Sequence, residues 1–172
     1  MPTLVLDPPP PDFEALLERR RQIGLDKHDE VWEGVLHLGP APLRRHARLQ
    51  MQVIARLEPA ALAAGLEPVM EFNLGEPDDF RIPDGGLLEP GPDALYLSTA
   101  ALVAEVLSPN DETRQKLPFY AAHGVQEIVI VDPETHTVEW LRLSSGSYQP
   151  TAHSTVIELS ASALTQQLDW PN

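Results

Sequence analysis

Cysteine is absent from this 172-residue chain, so disulfides and thiolate metal ligands are both excluded. Long apolar runs are missing too: no stretch approaches the ~20 residues that a membrane-spanning helix requires. The opening residues, Met1-Pro2-Thr3-Leu4-Val5-Leu6-Asp7, carry no positive n-region and no extended apolar h-region, so no secretory leader is expected. The expected location is the cytoplasm of a prokaryote. Basic residues are few, 12 against 26 acidic ones, for a net charge of −14. That is a poor footprint for holding nucleic acid by its phosphates. The distribution matters, because only Arg142 among the basic residues lies beyond Lys116. Arg19-Arg20-Arg21 and the group Arg44, Arg45 and Arg48 form either local positive patches or solvated helix faces.

What is present fits a globular chain. Hydrophobic residues make up 42% and charged residues 22%, which favours a packed core over disorder. The length suits one domain spanning residues 1–172, with a peripheral N-terminal helix over residues 12–24. Leu102-Val103-Ala104-Glu105-Val106-Leu107 is apolar at nearly every position, the pattern of a strand buried on both faces. Glu105 sits in its middle. A buried carboxylate is costly unless a metal, a cation or hydrogen bonds receive it. Something must therefore meet Glu105.

In chain order, Pro8 to Pro11 stop any earlier element, and Asp12 reads as the N-cap of a short helix ended by Gly24. Glu30 to Leu38 alternates with a period near two, a strand or a hairpin about Gly34. Leu43 to Ala64 is the longest helical pattern. Leu49, Val53, Ile54, Leu57 and Ala61 share its apolar face, and Pro59 is expected to kink or split it. Glu67 to Leu74 reads as one strand. Asp78 to Leu88 reads as a strand or hairpin, with Gly85-Gly86 allowing a bulge or the close approach of a ligand. After the Glu105 strand, Ser108-Pro109-Asn110-Asp111-Glu112 supplies helix-start residues for a helix to about Ala122, irregular around Pro118. Val125 to Asp132 is a second apolar strand. Strand, helix and strand form a βαβ-like unit, which implies a mixed sheet with a right-handed crossover. Thr137–Leu143 and Ser147 to about Ile157 read as an antiparallel pair, and Leu159–Leu168 as a closing helix with Ser160 as its cap.

The groups able to do chemistry are mostly acidic. Asp84 follows Pro83, Glu105 lies on the next apolar strand, and Lys116 lies on the helix after it. Two carboxylates from neighbouring strands can hold Mg²⁺ or Mn²⁺ through oxygen ligands. A nearby ammonium can counter charge on a phosphate or help activate water. The same residues can equally be a structural ion pair. Glu33 is either a further ligand or a hairpin residue; His46 is either a phosphate contact or a surface histidine among arginines. Asp93 follows a proline as well, but its Pro-Gly-Pro-Asp context is a turn. His28, His37, His136 and His153 share no ligand spacing, so no zinc site is expected.

The run Glu105-Val106-Leu107-Ser108-Pro109-Asn110-Asp111-Glu112-Thr113-Arg114-Gln115-Lys116, continuing to Pro133, closely resembles the Uma2 family of bacterial proteins described as restriction endonucleases. Arg81-Ile82-Pro83-Asp84-Gly85-Gly86 and Trp32-Glu33-Gly34-Val35-Leu36 fit earlier parts of that pattern, so the resemblance spans about Asp29 to Leu143. It implies an α/β fold with a PD-(D/E)xK nuclease-like core: a mixed sheet flanked by helices, with a divalent cation (Mg²⁺ or Mn²⁺) as cofactor. Asp84 is then the Asp of the PD element and Glu105 the Glu of the (D/E)xK element. Leu107 stands where that element has lysine, and Lys116 is the expected substitute. The activity implied is hydrolysis of DNA phosphodiesters. The competing expectation is a catalytically silent module on the same scaffold, acting through protein contacts or as a homodimer; the acidic charge and Leu107 favour it.

Overall fold

The computed structural model describes residues 4–6, 13–39, 41–109 and 112–171. The elements run β1 (Leu4–Leu6), α1 (Phe13–Gln22), β2 (Glu30–Trp32), β3 (Val35–Leu38), α2 (Arg44–Ala63), β4 (Glu67–Met70), β5 (Asn73–Glu76), β6 (Asp79–Arg81), β7 (Gly85–Leu88), β8 (Tyr96–Leu97), β9 (Leu102–Val106), α3 (Thr113–Ala122), β10 (Glu127–Asp132), β11 (Thr137–Ser144), β12 (Ser147–Pro150) and α4 (Ala161–Gln167). Asp12, Asn110 and Asp111, read as helix caps from the sequence, lie outside the described residues. None of the residues of α1 is buried.

Two six-stranded sheets result, ordered β1-β3-β2-β6-β5-β8 and β12-β11-β10-β9-β7-β4. The second is the centre of the molecule. It is mixed, because β9 and β10 run parallel while its other pairs are antiparallel. The parallel pair is the βαβ unit, with α3 as its crossover. Alternation along β9 sends Leu102, Ala104 and Val106 into a core shared with α2 and α4, and Val103 into one shared with Tyr120 of α3. All five residues of β9 are buried. Each large apolar side chain so buried contributes about 1.5–3 kcal/mol, enough to fix this strand at the centre.

The expected strand over Glu67–Leu74 proves to be two, and Asp78–Leu88, expected as a strand or hairpin, divides between two sheets. Glu67–Leu74 breaks at Glu71, whose φ of 36° is left-handed, and its halves β4 and β5 join different sheets. Asp78–Leu88 breaks at Ile82-Pro83-Asp84, and β6 and β7 likewise part. The chain thus changes sheet at each of these two breaks, and Glu71, Ile82 and Asp84 all line one cleft at those crossings. Gly85 and Gly86 answer to packing: a Cβ on Gly85 would lie 2.5 Å from Ile54 Cδ1, and one on Gly86 2.6 Å from the Leu102 carbonyl oxygen.

Pro59 lies inside α2 without splitting it, close to the helix's C-terminal end. Leu57 and Ala61 on either side are buried, so tertiary packing holds the last turn. Pro118 is likewise contained within α3. The strand expected to reach Ile157 stops at Pro150. The next segment is drawn to Glu127, a fully buried carboxylate that accepts from Trp140 Nε1, Ser154 Oγ, Thr155 N and Thr155 Oγ1. That segment therefore bonds to the start of β10 and not to a neighbouring strand. Ser160 caps α4, accepting from the Ala163 amide at 3.1 Å. Glu127→Gln turns an acceptor-only group into one with two donors among donors, and an expected loss of about 1–2 kcal/mol in urea unfolding checks this account.

Candidate active site

The cleft encloses about 200 Å³ and is walled by the β2–β3 hairpin, the N-terminal turn of α2, the end of β9 and the start of α3. Asp84, Glu105, Lys116 and His46 all line it, so the structure brings together four of the five residues singled out from the sequence. The fifth, Glu33, does not line it. Glu33 sits exposed on the hairpin tip with φ 51°, its amide donating to Asp79 Oδ1. A two-residue turn at Glu33-Gly34 needs both residues at positive φ, and this removes Glu33 from the strand face. The acid that the hairpin delivers is Glu30.

Asp84 is positioned from two sides. Its Oδ2 accepts from the Val106 amide at 2.7 Å, which joins the end of β6–β7 to β9. Its Oδ1 lies 3.0 Å from His46 Nε2, and its carbonyl oxygen accepts from Gln50 Nε2 at 2.8 Å. His46 and Gln50 are four residues apart on α2, so one helix face holds both the side chain and the backbone of Asp84. His46 Nδ1 also meets Ser108 Oγ at 3.1 Å.

Glu105 is held in the same manner by α3. Tyr120 Oη donates to its Oε1 at 2.5 Å, and Lys116 Nζ stands 3.6 Å from the same oxygen. Lys116 and Tyr120 are again four apart on one helix face. Lys116 points inward, its side chain only 13% exposed, and donates to Glu30 Oε1 at 2.8 Å. Glu30 is itself fixed, accepting from the Ile82 amide at 2.7 Å and from Trp32 Nε1 at 2.6 Å.

The electrostatics follow from the count of charges. Asp84, Glu30 and Glu105 are three carboxylates within one another's influence, and Lys116 is the ammonium among them. Burial pushes the Glu105 carboxyl up, Lys116 pulls it back, and Asp84 and Glu30 add to the rise, leaving it at about 7. Burial alone lowers Lys116, but attraction to Glu105 and Glu30 more than reverses this, and it remains charged at every physiological pH. Burial, then Glu105 beside it, holds Tyr120 protonated as a donor. Ionised Glu105 would leave these three carboxylates with only the one ammonium of Lys116 among them. Oxygen donors with that excess suit a hard divalent cation such as Mg²⁺, which takes one or two carboxylates and keeps several waters. Among the described residues no three His, Asp or Glu side chains are spaced to chelate one ion.

Glu30, Gln50 and Tyr120 were not singled out from the sequence. Gln50 carried a signal, as a polar residue beside the apolar face of a helix. Tyr120 carried a fainter one, four residues after Lys116.

A mixed sheet covered by helices on both faces, with a cleft where the chain changes sheet, places the protein in the restriction-endonuclease-like α/β class. The chain belongs to the Uma2 family, whose description is "Putative restriction endonuclease" and whose pattern matches residues 10–170. The fold is similar to a crystal structure from Anabaena variabilis ATCC 29413 described as "a putative nuclease belonging to DUF820". The two superpose with a TM-score of 0.64 at 18% identity, covering 81% of this chain and 90% of that one. No curated protein matches the chain in sequence. Among the described residues no helix is long and apolar enough to cross a membrane.

Proposed function

We propose that the protein is a divalent-metal-dependent endonuclease acting on DNA. The observation that carries this reading is the convergence of Asp84, Glu105 and Lys116 on one cleft, with more carboxylate charge than its ammonium offsets. Asp84 and Glu105 would hold Mg²⁺ or Mn²⁺. Such an ion, when bound, supplies a Lewis acid for the phosphate and a water more easily deprotonated. The remaining work falls to the chain. Lys116 is pinned between Glu30 and Glu105 and permanently charged, so it orients water or counters negative charge on phosphate and takes no proton. His46 keeps Asp84 in place and lines the same cleft. Arg45 lines the cleft, and Arg44, Arg45 and Arg48 border an adjoining depression, a local basic rim on an acidic body. Arg48 is paired with Asp169 there, which leaves Arg44 and Arg45 as the better candidates for the phosphate backbone.

A second reading has its own support. Glu105 is already met by Lys116 and Tyr120, and the net charge of −14 opposes nucleic acid, as expected of a silent scaffold that works through protein contacts or as a homodimer. Calorimetric titration with Mg²⁺, followed by plasmid nicking in Mg²⁺, separates the two. The native chain is expected to bind Mg²⁺ and nick DNA, and Asp84→Ala to do neither. Absence of binding at millimolar Mg²⁺ would remove the enzyme reading and direct attention to protein partners.

A further inference from the structure

We propose that His37 and Glu112 hold a divalent transition-metal ion on the cleft wall, at a site separate from Asp84 and Glu105. His37 Nδ1 is a buried polar atom without a hydrogen-bond partner, on a residue only 7% exposed that lines the cleft. Buried polar atoms are nearly always satisfied, so one left unmet at a cleft wall marks a place for a ligand. The group facing it is Glu112 Oε2, 3.8 Å away. That distance is too long for a hydrogen bond, which closes by about 3.2 Å. It falls inside the range of about 3.4–4.2 Å expected for a nitrogen and an oxygen each about 2.1 Å from one shared ion, at angles from tetrahedral to linear.

The ring is preset for this. It stacks on Trp32 with centroids 4.1 Å apart, Trp32 is tied to Glu30, and Arg81 braces the Trp32 ring at 4.5 Å. Burial lowers His37 against the pull of Glu112 and Glu30, which favours the neutral, metal-ligating imidazole. Glu112 and Glu30, the latter paired across the hairpin with His37, act on the ring against one nearby cation, Arg81, so the balance of charge still favours a cation over an anion. An imidazole with a carboxylate suits Mn²⁺, Co²⁺ or Zn²⁺ better than Mg²⁺. With two protein ligands, water or a bound phosphate completes the shell. Sequence spacing could not reveal the pair, since the hairpin and the start of α3 meet only in the fold. The site does not depend on whether the chain cleaves DNA.

The test is a Zn²⁺ titration of the untagged full chain, followed through the histidine ring nitrogens by NMR, with His37→Gln identifying the His37 signals. Expected are a saturable shift of the His37 ring, a shift midpoint more than about tenfold higher in Glu112→Gln, and an unchanged midpoint in Asp84→Ala. Glu112 is partly exposed and Glu112→Gln keeps its shape, so this variant retains the fold. A His37 ring unmoved at saturating Zn²⁺, or a midpoint indifferent to Glu112→Gln, overturns the proposal. Loss of the shift in Asp84→Ala also overturns it, because the two sites would then be one. None of these outcomes depends on DNA nicking.

Discussion

Lys116→Met is expected to destabilise the folded chain by about 3–5 kcal/mol at pH 8, the usual cost of removing one partner from a buried ion pair. The side chain is inward, donating to Glu30 at 2.8 Å and standing 3.6 Å from Glu105. Methionine keeps the length of the stem and removes the charge, so the loss reports electrostatics more than packing. The sign with pH is fixed by Glu105. Its folded pKa, about 7, lies above its ordinary 4.5, and Lys116 is what keeps it from rising further. Without Lys116 the carboxyl is protonated over a wider range. Stability tied to a raised carboxyl is present at low pH and lost as pH climbs through the folded value. The variant should therefore draw closer to the native chain as pH falls from 8 to 5, leaving only the lost Glu30 contact. Urea unfolding at pH 8, 6 and 5 measures this. A deficit constant with pH would mean that Glu105 is not the group Lys116 serves.

The legible parts of the fold were those set by local pattern. The apolar run at Leu102–Val106, the helix over Arg44–Ala63 and the strand–helix–strand unit all emerged near their expected bounds, because burial on both faces and a 3.6-residue period leave few alternatives. The partition into two sheets was not legible. It depends on a left-handed residue at Glu71 and on the corner at Pro83, and neither sequence context distinguishes a change of sheet from a simple turn. Ile157 illustrates a further limit. Its neighbourhood has strand-like composition, but the nearby segment is captured by Glu127, a contact that no periodicity encodes.

The site divides in the same way. Asp84 at the corner before β7, Glu105 on β9 and Lys116 on α3 lie close in sequence, so a buried acid between a Pro-Asp corner and a lysine-bearing helix could be read as a unit. Glu30 comes from a hairpin 86 positions away from Lys116 and enters only through tertiary packing. Glu33 had the stronger claim in sequence because it sits in the Trp-Glu-Gly motif, yet the turn that Gly34 makes possible points it at solvent. The helix pairs His46/Gln50 and Lys116/Tyr120 carry a pattern that is visible afterwards: two polar residues four apart on a helix meet at Asp84 or at Glu105, while Gln50 also donates to Glu71 and Lys116 to Glu30.

Glu105→Gln is expected to make the protein more stable and inactive. Between pH 4.5 and 7 the folded chain binds a proton at Glu105 that the unfolded chain has released, so native stability falls with rising pH by about 1.4 kcal/mol per unit. Over that window the native chain forfeits about 3 kcal/mol, and the neutral amide does not. The amide oxygen still accepts from Tyr120, and Lys116 retains Glu30. At pH 8 the variant should therefore exceed the native chain by about 2–3 kcal/mol, while near pH 4 the two should coincide. Mg²⁺ binding and plasmid nicking in Mg²⁺ should fall together, nicking by at least about 10²–10³-fold, because the amide brings no charge to the cation. A stabilising substitution that removes activity is the mark of a carboxylate kept at a cost to folding. The contrary result is equally informative. A variant less stable than the native chain at pH 8 would make Glu105 a structural partner of Lys116 and Tyr120, and the nuclease reading would lose the acid on which it most depends.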